Sequence, residues 1–213
     1  MLFGKKNEFA FEYNLIRHPY GDEFGLLLDS WGELCIWIED VNLLRMYTKD
    51  HHGANKTLNY QWNLIMITEW LADNLFSIIS PGEFPNNIKA DNSIAYVDVS
   101  RDLTPSIETN EFWQWHDNDF EWLEAHCLRR AADGSNLPYL FFRRVKDQVE
   151  ICWSNEWLYD DRGVFFYSQK GCKLIDMNIF YKVVKEFLYD FIQRFKNKYP
   201  VEMKTLQDKI ILN

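Results

Sequence analysis

The segment from Trp122 to Trp153 constrains the fold most, because an amphipathic helix pattern is followed in it by residues that end a helix and then by a hairpin pattern. Asp133-Gly134 ends the helix, since glycine adopts the left-handed conformation that closes a helix at little steric cost. Pro138 then keeps the helix from restarting before a run of strand-forming residues. The segment predicts a helix, a turn and a β-hairpin in that order, and it contains no catalytic motif.

Hydrophobic periodicity extends this pattern along the whole chain. It predicts strands at Phe9–Ile16, Phe24–Asp29, Glu33–Glu39, Tyr139–Val145, Val149–Ser154 and Gly163–Ser168, and helices at Leu58–Ser80, Asn110–Ala132 and from a cap at Asp176 to about Lys198. Short turn-like segments join the strands within each set, so each set should be antiparallel. The predicted fold class is α+β, with two antiparallel sheet regions that are each packed with one or two long helices.

The weakest periodicity lies near the middle of the chain and indicates a seam. We divide the chain into residues 1–85, a β-meander plus helix, residues 86–110, an irregular connector, and residues 111–213, a helix, a three-strand sheet and C-terminal helices. One compact domain overall is the alternative. Within the connector only Ile94–Val99 resembles a strand, and the amphipathic stretch from Val201 to Asn213 is expected to dock on the core rather than on a partner.

Composition narrows the function classes. The chain has 213 residues, of which 47% are hydrophobic and 17% aromatic, so a packed core is expected. The net charge of −9 repels phosphate backbones and anionic lipids, which argues against general nucleic-acid binding and membrane binding and suits a basic protein partner. The nine Trp residues have two interpretations. Some of the rings line an interface, or, as we favour, they form a Trp-rich core.

Cysteine usage and the N-terminus bear on the compartment. The four cysteines lie far apart among apolar neighbours and form no C-x-x-C pair, so we interpret Cys35, Cys127, Cys152 and Cys172 as reduced core residues. The lysines near the N-terminus precede no apolar stretch, and no run approaches 18 apolar residues. These features predict a soluble, cytoplasmic protein of bacterial origin.

One face of the second predicted helix mixes aromatic rings with ionisable groups. Steps of four and three residues place five side chains on this face: Trp115, Asp119, Trp122, His126 and Arg129. A functional interpretation makes the face a pocket that recognises a ligand or partner. The structural interpretation, which we favour, is a partly buried charge network that holds the helix on the hairpin, formed by Arg129, Arg143, Arg144 and Glu150.

The motifs required for catalysis or metal binding are missing. The sequence lacks H-E-x-x-H, G-x-S-x-G, the phosphate-binding G-x-x-x-x-G-K-[ST] and the dinucleotide-binding G-x-G-x-x-G. His116 and His126 fall on different sides of one helix, and His51-His52 is expected to be a solvated loop pair. The spacing of Asp147, Glu150 and the lysines Lys146 and Lys173 imitates a nuclease site only in part. We therefore expect no catalytic residue, no metal and no cofactor.

A resemblance to a known module rests on two stretches. The first runs from Trp31-Gly32 through W62-N-L-I-M-I-T-E-W-L-A-D-N74 to Pro85. The second contains two patterns: W-x-x-x-H-x-L-R-x-A-x-x-G-x-x-L-P, which begins at Trp122, and R-R-x-x-D-x-V-E-x-x-W, which begins at Arg143. Over roughly residues 24 to 192 the chain resembles an uncharacterised bacterial module that precedes the zinc-peptidase domain in some ImmA/IrrE-type proteins. Because the H-E-x-x-H segment is absent, the resemblance implies no peptidase activity. It implies a sensing or docking module of a bacterial conflict system.

Three functions follow from these observations. The first is a non-enzymatic protein-interaction or sensor module of a phage-defence or mobile-element system, whose protein partner is encoded nearby. The second is an immunity protein or antitoxin that neutralises a basic toxin by electrostatic blocking. The third is a metal-dependent nuclease or hydrolase whose site residues are scattered along the sequence.

Overall fold

The computed structural model describes residues 1–19, 25–49, 53–103, 109–156 and 158–212, without the side chain of residue 212. The fold is α+β with antiparallel sheets, as the sequence predicts. The strands are β1 (Leu2–Lys5), β2 (Phe9–Leu15), β3 (Trp31–Ile38), β4 (Val41–Asn42), β5 (Met46–Lys49), β6 (Asn55–Leu58), β7 (Tyr60–Asn63), β8 (Leu140–Val145), β9 (Gln148–Ser154), β10 (Val164–Phe166) and β11 (Lys170–Asp176). The α-helices are α1 (Leu26–Asp29), α2 (Leu64–Ile79), α3 (Ser93–Leu103), α4 (Asn110–His126), α5 (Met177–Phe195) and α6 (Pro200–Leu212).

These strands form three antiparallel sheets. The first has the order β1-β2-β3-β4, with β7 also paired to β3. The second has the order β10-β5-β6 and the third the order β11-β9-β8. Alternate residues of β3 are buried and half-buried, so one face of the first sheet packs on the core and the other faces solvent.

A large aromatic core joins the two halves of the sequence. Helix α5 lies on the first sheet, where Phe187 contacts Phe11 at a ring-centroid distance of 5.2 Å. On the same helix, Phe180 contacts Phe9 of the first sheet at 5.2 Å and Phe142 of the third sheet at 5.6 Å. The N-terminal and C-terminal sheets thus share one core, while the proposed boundaries at residues 85 and 110 stay predictions.

A smaller core lies on the opposite face of the third sheet. Phe141 and Cys152 point into it, whereas their neighbours Phe142 and Ile151 point into the large core, because successive strand residues face opposite ways. Helices α3 and α4 cover this second core with Tyr96 and other apolar residues. Burial on both faces explains why β9 is an almost continuous apolar run rather than an alternating one.

Two predictions about the N-terminal half are wrong. The segment Leu26–Asp29 forms a short helix rather than part of a strand, and Ser30 ends it by donating its hydroxyl to the carbonyl oxygen of Leu27 at 2.9 Å. The run of three leucines does not alternate, so it carried no true strand signal. Phe24 lies outside the described residues. The predicted helix at Leu58–Ser80 begins only at Leu64, because residues 60–63 pair with β3 instead.

The region predicted as an irregular connector contains a helix. Residues 94–99 lie within α3 and form no strand. The next helix, α4, begins at Asn110 as predicted and is capped by Thr109, whose hydroxyl oxygen accepts a hydrogen bond from the amide N–H of Phe112 at 3.2 Å. That helix ends at His126, and a separate 3₁₀ turn covers Leu128–Ala131. The prediction of one helix to Ala132 is therefore too long.

The C-terminal half also departs from prediction in its strand pairing. Strand β10 pairs with β5 of the N-terminal half, so it does not join the hairpin of β8 and β9. The third strand of that sheet is β11, which the sequence pattern did not predict. Helix α6 docks on the core as expected, with Met203, Leu206 and Ile210 buried.

The prediction that all four cysteines are reduced core residues is wrong for two of them. Cys152 and Cys172 lie directly opposite each other on β9 and β11 and form a disulfide. Cys172 is exposed, whereas its partner is fully buried. Cys35 and Cys127 are free thiols, half-buried and buried respectively. Spacing along the chain gave no sign of the pair, because only strand pairing brings positions 152 and 172 together.

Candidate functional site

The predicted functional face of α4 points inward. Asp119 accepts hydrogen bonds from the hydroxyl of Ser100 at 2.7 Å and from that of Tyr96 at 2.5 Å, and these bonds connect α4 to α3. Trp122 is only 9% exposed and its ring lies 4.6 Å from that of Tyr96. Trp115 is half-buried, and within the described residues its indole N–H meets no acceptor. These side chains pack α4 against the second core, so they are not free to bind a large partner.

His126 lies on the same inward face and is held in one tautomer. Its Nδ1 atom is 2.8 Å from the carbonyl oxygen of Phe142, and because a carbonyl only accepts, Nδ1 carries the proton. Burial lowers the pKa of His126, the nearby charge of Arg143 lowers it further, and the hydrogen bond to the carbonyl opposes both effects. The imidazole is therefore neutral near pH 7 and fixes α4 to β8.

The predicted charge network is divided in the structure. Arg143 donates to Glu150 at 3.2 Å, and Glu150 also accepts the backbone N–H and the hydroxyl of Ser93 at 2.9 and 2.6 Å. Arg144 instead donates to the carbonyl oxygen of Ile79 at 3.0 Å. Arg129 lies elsewhere, with its guanidinium 5.5 Å from the ring centroid of Tyr159. The link between helix and hairpin therefore runs from Glu150 to the N-terminus of α3.

The opposite face of α4 carries a row of aromatic rings, of which Trp113, His116 and Phe120 are exposed and Phe112 is half-buried. We call Phe112, Trp113, His116 and Phe120 the aromatic row. Trp113 and Phe120 are 50% and 44% exposed. Ring centroids of Phe112 and Trp113 are 5.1 Å apart, and His116 lies 6.2 Å from Phe112 and 6.3 Å from Phe120. The row is thus a connected aromatic strip on the outer face of α4.

Acidic residues surround the aromatic row. Helix α4 contains no Lys or Arg, and its outward carboxylates are Glu111, Asp117, Glu121 and Glu124. Arg130, from the following turn, lies 5.3 Å from the Phe120 ring centroid and pairs with Glu124 at 3.3 Å. The surface therefore combines exposed rings with a negative charge excess, which favours basic, partly apolar ligands.

The signal for this row was present in the sequence. Phe112, His116 and Phe120 recur at steps of four, which places them on one helix face. Both faces of α4 carry tryptophan and other rings, so periodicity alone does not say which face is buried. Only the packing of α3 and β8 decides that the face with Trp122 is the inner one.

The two free thiols of the described residues are not activated as nucleophiles. Burial raises the pKa of the Cys35 thiol to about 11 and that of Cys127 to about 12. Both thiols are therefore protonated at neutral pH and poor nucleophiles. Of the lysines in the partial nuclease pattern, Lys173 pairs with Glu39 at 2.8 Å rather than with Glu150.

One group of potential metal ligands lies close together in the described part of the chain. It consists of Glu150, Cys152 and Cys172, whose ligand atoms lie within 4.8 Å of one another. The two sulfurs are joined in the disulfide, and Glu150 already accepts three hydrogen bonds, so neither the thiolates nor the carboxylate are available to a metal in this state. The predicted loop pair His51-His52 lies outside the described residues.

Comparisons with known proteins leave the family open. No protein-family model and no curated protein matches the chain. Among solved structures it is similar to CdiI from Burkholderia dolosa AUO158, with a TM-score of 0.46 and 12% identity over 89% of this chain and 99% of that one. A similarity this low carries no conclusion about function, and the resemblance to the ImmA/IrrE-associated module stays a prediction. Every helix in the described ranges is too short or too polar to span a lipid bilayer.

Proposed function

We propose that this chain is a non-enzymatic protein that binds a basic protein partner through the outer face of α4. The observation that carries the proposal is the aromatic row, a connected strip of exposed rings bordered by carboxylates. Contiguous exposed aromatic rings are a common feature of protein interaction sites, whereas single exposed apolar residues are normal on any surface. Tryptophan and other aromatic residues are also enriched among the residues that dominate binding energy.

The row is suited to binding because it is already ordered. Each ring contacts its neighbour, and the guanidinium of Arg130 covers Phe120. Helix α4 is itself fixed from below, since the indole N–H of Trp70 donates to the carbonyl oxygen of Glu124 at 2.8 Å. Little side-chain entropy is lost when such a surface meets a partner, so more of the contact energy contributes to affinity.

The charge of the chain specifies the partner's chemistry. A net charge of −9 and the outward carboxylates of α4 attract cationic surfaces and repel anionic ones. A basic partner would be steered to the aromatic row, and the rate of association would fall as salt is added. Of the three functions that the sequence suggests, an immunity protein or antitoxin that covers a basic toxin site makes the most direct use of exposed rings bordered by carboxylates. A docking module of a conflict system is the second candidate and uses the same surface.

Alanine substitution of the row tests the proposal. Trp113→Ala and Phe120→Ala each remove an exposed ring from α4, and Phe76→Ala is the matched control because Phe76 is 56% exposed on α2. The probe is the basic protein encoded by an adjacent reading frame, co-expressed and then titrated by calorimetry. We expect each row substitution to weaken binding by about 2 kcal/mol, roughly 30-fold, and the control to leave it unchanged.

Two results would contradict the proposal. Equal affinities for the row variants and the Phe76 variant would place the interface elsewhere on the chain. Metal-dependent turnover of a nucleic acid or ester by the isolated chain, abolished by a single carboxylate substitution, would instead favour the hydrolase alternative. Hydrogen exchange on the complex distinguishes the remaining cases, because the proposal requires protection of the amides of α4.

A further inference from the structure

Three arginines line one small cavity on the surface beyond α4. Arg129, Arg130 and Arg162 surround a volume of about 270 Å³, together with the rings of Tyr139 and Tyr159. The whole chain carries nine more acidic than basic residues, so a local concentration of guanidinium groups runs against its overall charge. This cavity takes no part in the aromatic row, although Arg130 borders both.

The ring of Tyr159 holds two of the guanidinium groups in place. Tyr159 is only 3% exposed, and its hydroxyl donates to the carbonyl oxygen of Leu137 at 2.8 Å, so the ring is fixed. The guanidinium carbons of Arg129 and Arg162 lie 5.5 and 5.2 Å from the ring centroid. Cation–π attraction to a fixed ring therefore helps to hold both guanidinium groups at the cavity that they line.

Neither of these two guanidinium groups forms an ion pair with another described residue. Among the described residues neither Arg129 nor Arg162 has a carboxylate oxygen at ion-pair distance, whereas Arg130 pairs with Glu124 at 3.3 Å. Arg162 donates to the neutral amide oxygen of Asn136 at 3.4 Å. Asp133 also lines the cavity and offsets part of the positive charge. Mutual repulsion between the guanidinium groups would be relieved by an anion bound between them.

We propose that this cavity binds the phosphate group of a small molecule. A phosphate monoester carries close to two negative charges at neutral pH and so matches two guanidinium groups without ion-pair partners among the described residues better than a single carboxylate does. Planar guanidinium groups also present paired N–H donors that fit the oxygens of a phosphate. The small volume and the acidic surroundings favour a single phosphate group over a nucleic-acid strand.

Calorimetry with inorganic phosphate as the probe tests this site, at constant ionic strength set with sodium chloride. The variants Arg129→Gln and Arg162→Gln each remove one of the two charges. Arg45→Gln is the matched control, because Arg45 is also an exposed arginine, 4.9 Å from the ring centroid of Tyr167, outside the cavity. We expect the native protein and the control to bind alike and each cavity variant to bind about tenfold more weakly. Asp133→Asn should tighten binding, since it removes the carboxylate that lines the cavity.

The outcomes separate the proposal from simpler explanations. Absence of binding by the native protein at about 10 mM phosphate would overturn it. Equal weakening by the Arg45 variant would show a general charge effect, and equal binding of acetate would show that a carboxylate is the true ligand. Thermal melts of all variants verify folding, and a cavity variant that melts like the native protein yet fails to bind phosphate supports the site.

Discussion

Replacing Glu150 by alanine should destabilise the protein more than most single substitutions. Glu150 is 3% exposed and accepts from the backbone N–H and hydroxyl of Ser93 and from Arg143. The substitution leaves the Arg143 charge without its partner, and the Arg143 side chain is only 15% exposed. It also leaves two buried donors of Ser93 unsatisfied.

The magnitude follows from these losses. Removing one partner of a buried ion pair typically costs about 3 to 5 kcal/mol, and each unsatisfied buried donor costs about 1 to 3 kcal/mol within that total. We therefore expect Glu150→Ala to lower the free energy of unfolding by about 3 to 5 kcal/mol. Glu150→Gln keeps one oxygen as the acceptor for Ser93, but it loses the charge and puts an amide NH2 where the other oxygen accepts from Arg143, so it should cost about 1.5 to 3 kcal/mol.

Urea titration followed by tryptophan fluorescence measures both variants, with linear extrapolation to water. Glu83→Ala is the control, because Glu83 forms an ion pair with Lys89 while its side chain is 80% exposed, and such surface pairs contribute about 0.5 kcal/mol. A loss of less than about 0.5 kcal/mol for Glu150→Ala would refute the reasoning, since it would place the Glu150 network at the level of a surface substitution.

Three further predictions concern α4 and the disulfide. Trp122→Ala should lower the free energy of unfolding by about 3 to 5 kcal/mol in the absence of any partner, whereas Trp113→Ala should cost less than about 1 kcal/mol; urea titration compares them. The pKa of His126 is lower in the folded than in the unfolded state, so the unfolded state binds more protons below about pH 6.5. The free energy of unfolding should therefore decrease as the pH is lowered below that value, by up to about 1.4 kcal/mol per pH unit. His126→Gln should remove this contribution, and an unchanged pH dependence would contradict the buried neutral imidazole. Cys172→Ser should destabilise the oxidised protein by about 3 kcal/mol, because it opens the bond to Cys152, and should have little effect once reductant is added.

Local sequence patterns determined the parts of this protein whose partners lie close in the chain. The pairing of β8 with β9 needs only a tight turn between two largely apolar strands. Asp176 caps α5 as predicted, accepting the backbone N–H groups of Asn178 and Ile179. Each of these features depends on residues within a few positions of one another, so periodicity and capping rules are sufficient to predict them.

Long-range pairing decided the remainder of the fold. Strand β10 joins β5 across more than half of the chain, and Cys172 meets Cys152 only because β11 lies beside β9. The helix α3 was missed because its apolar residues meet the second core only after α4 and the third sheet are in place. No local pattern contains the geometry of such contacts.

The same distinction governs the candidate binding surface. The sequence by itself placed two sets of aromatic residues on α4, with Trp122 in one and Trp113 in the other, and it established the acidic charge that favours a basic partner. Only the tertiary structure decided that Trp122 is buried and Trp113 exposed. The physical reason is that both faces are similarly aromatic, so the free energy of burial depends on which face finds complementary neighbours, and those neighbours come from β8 and α3.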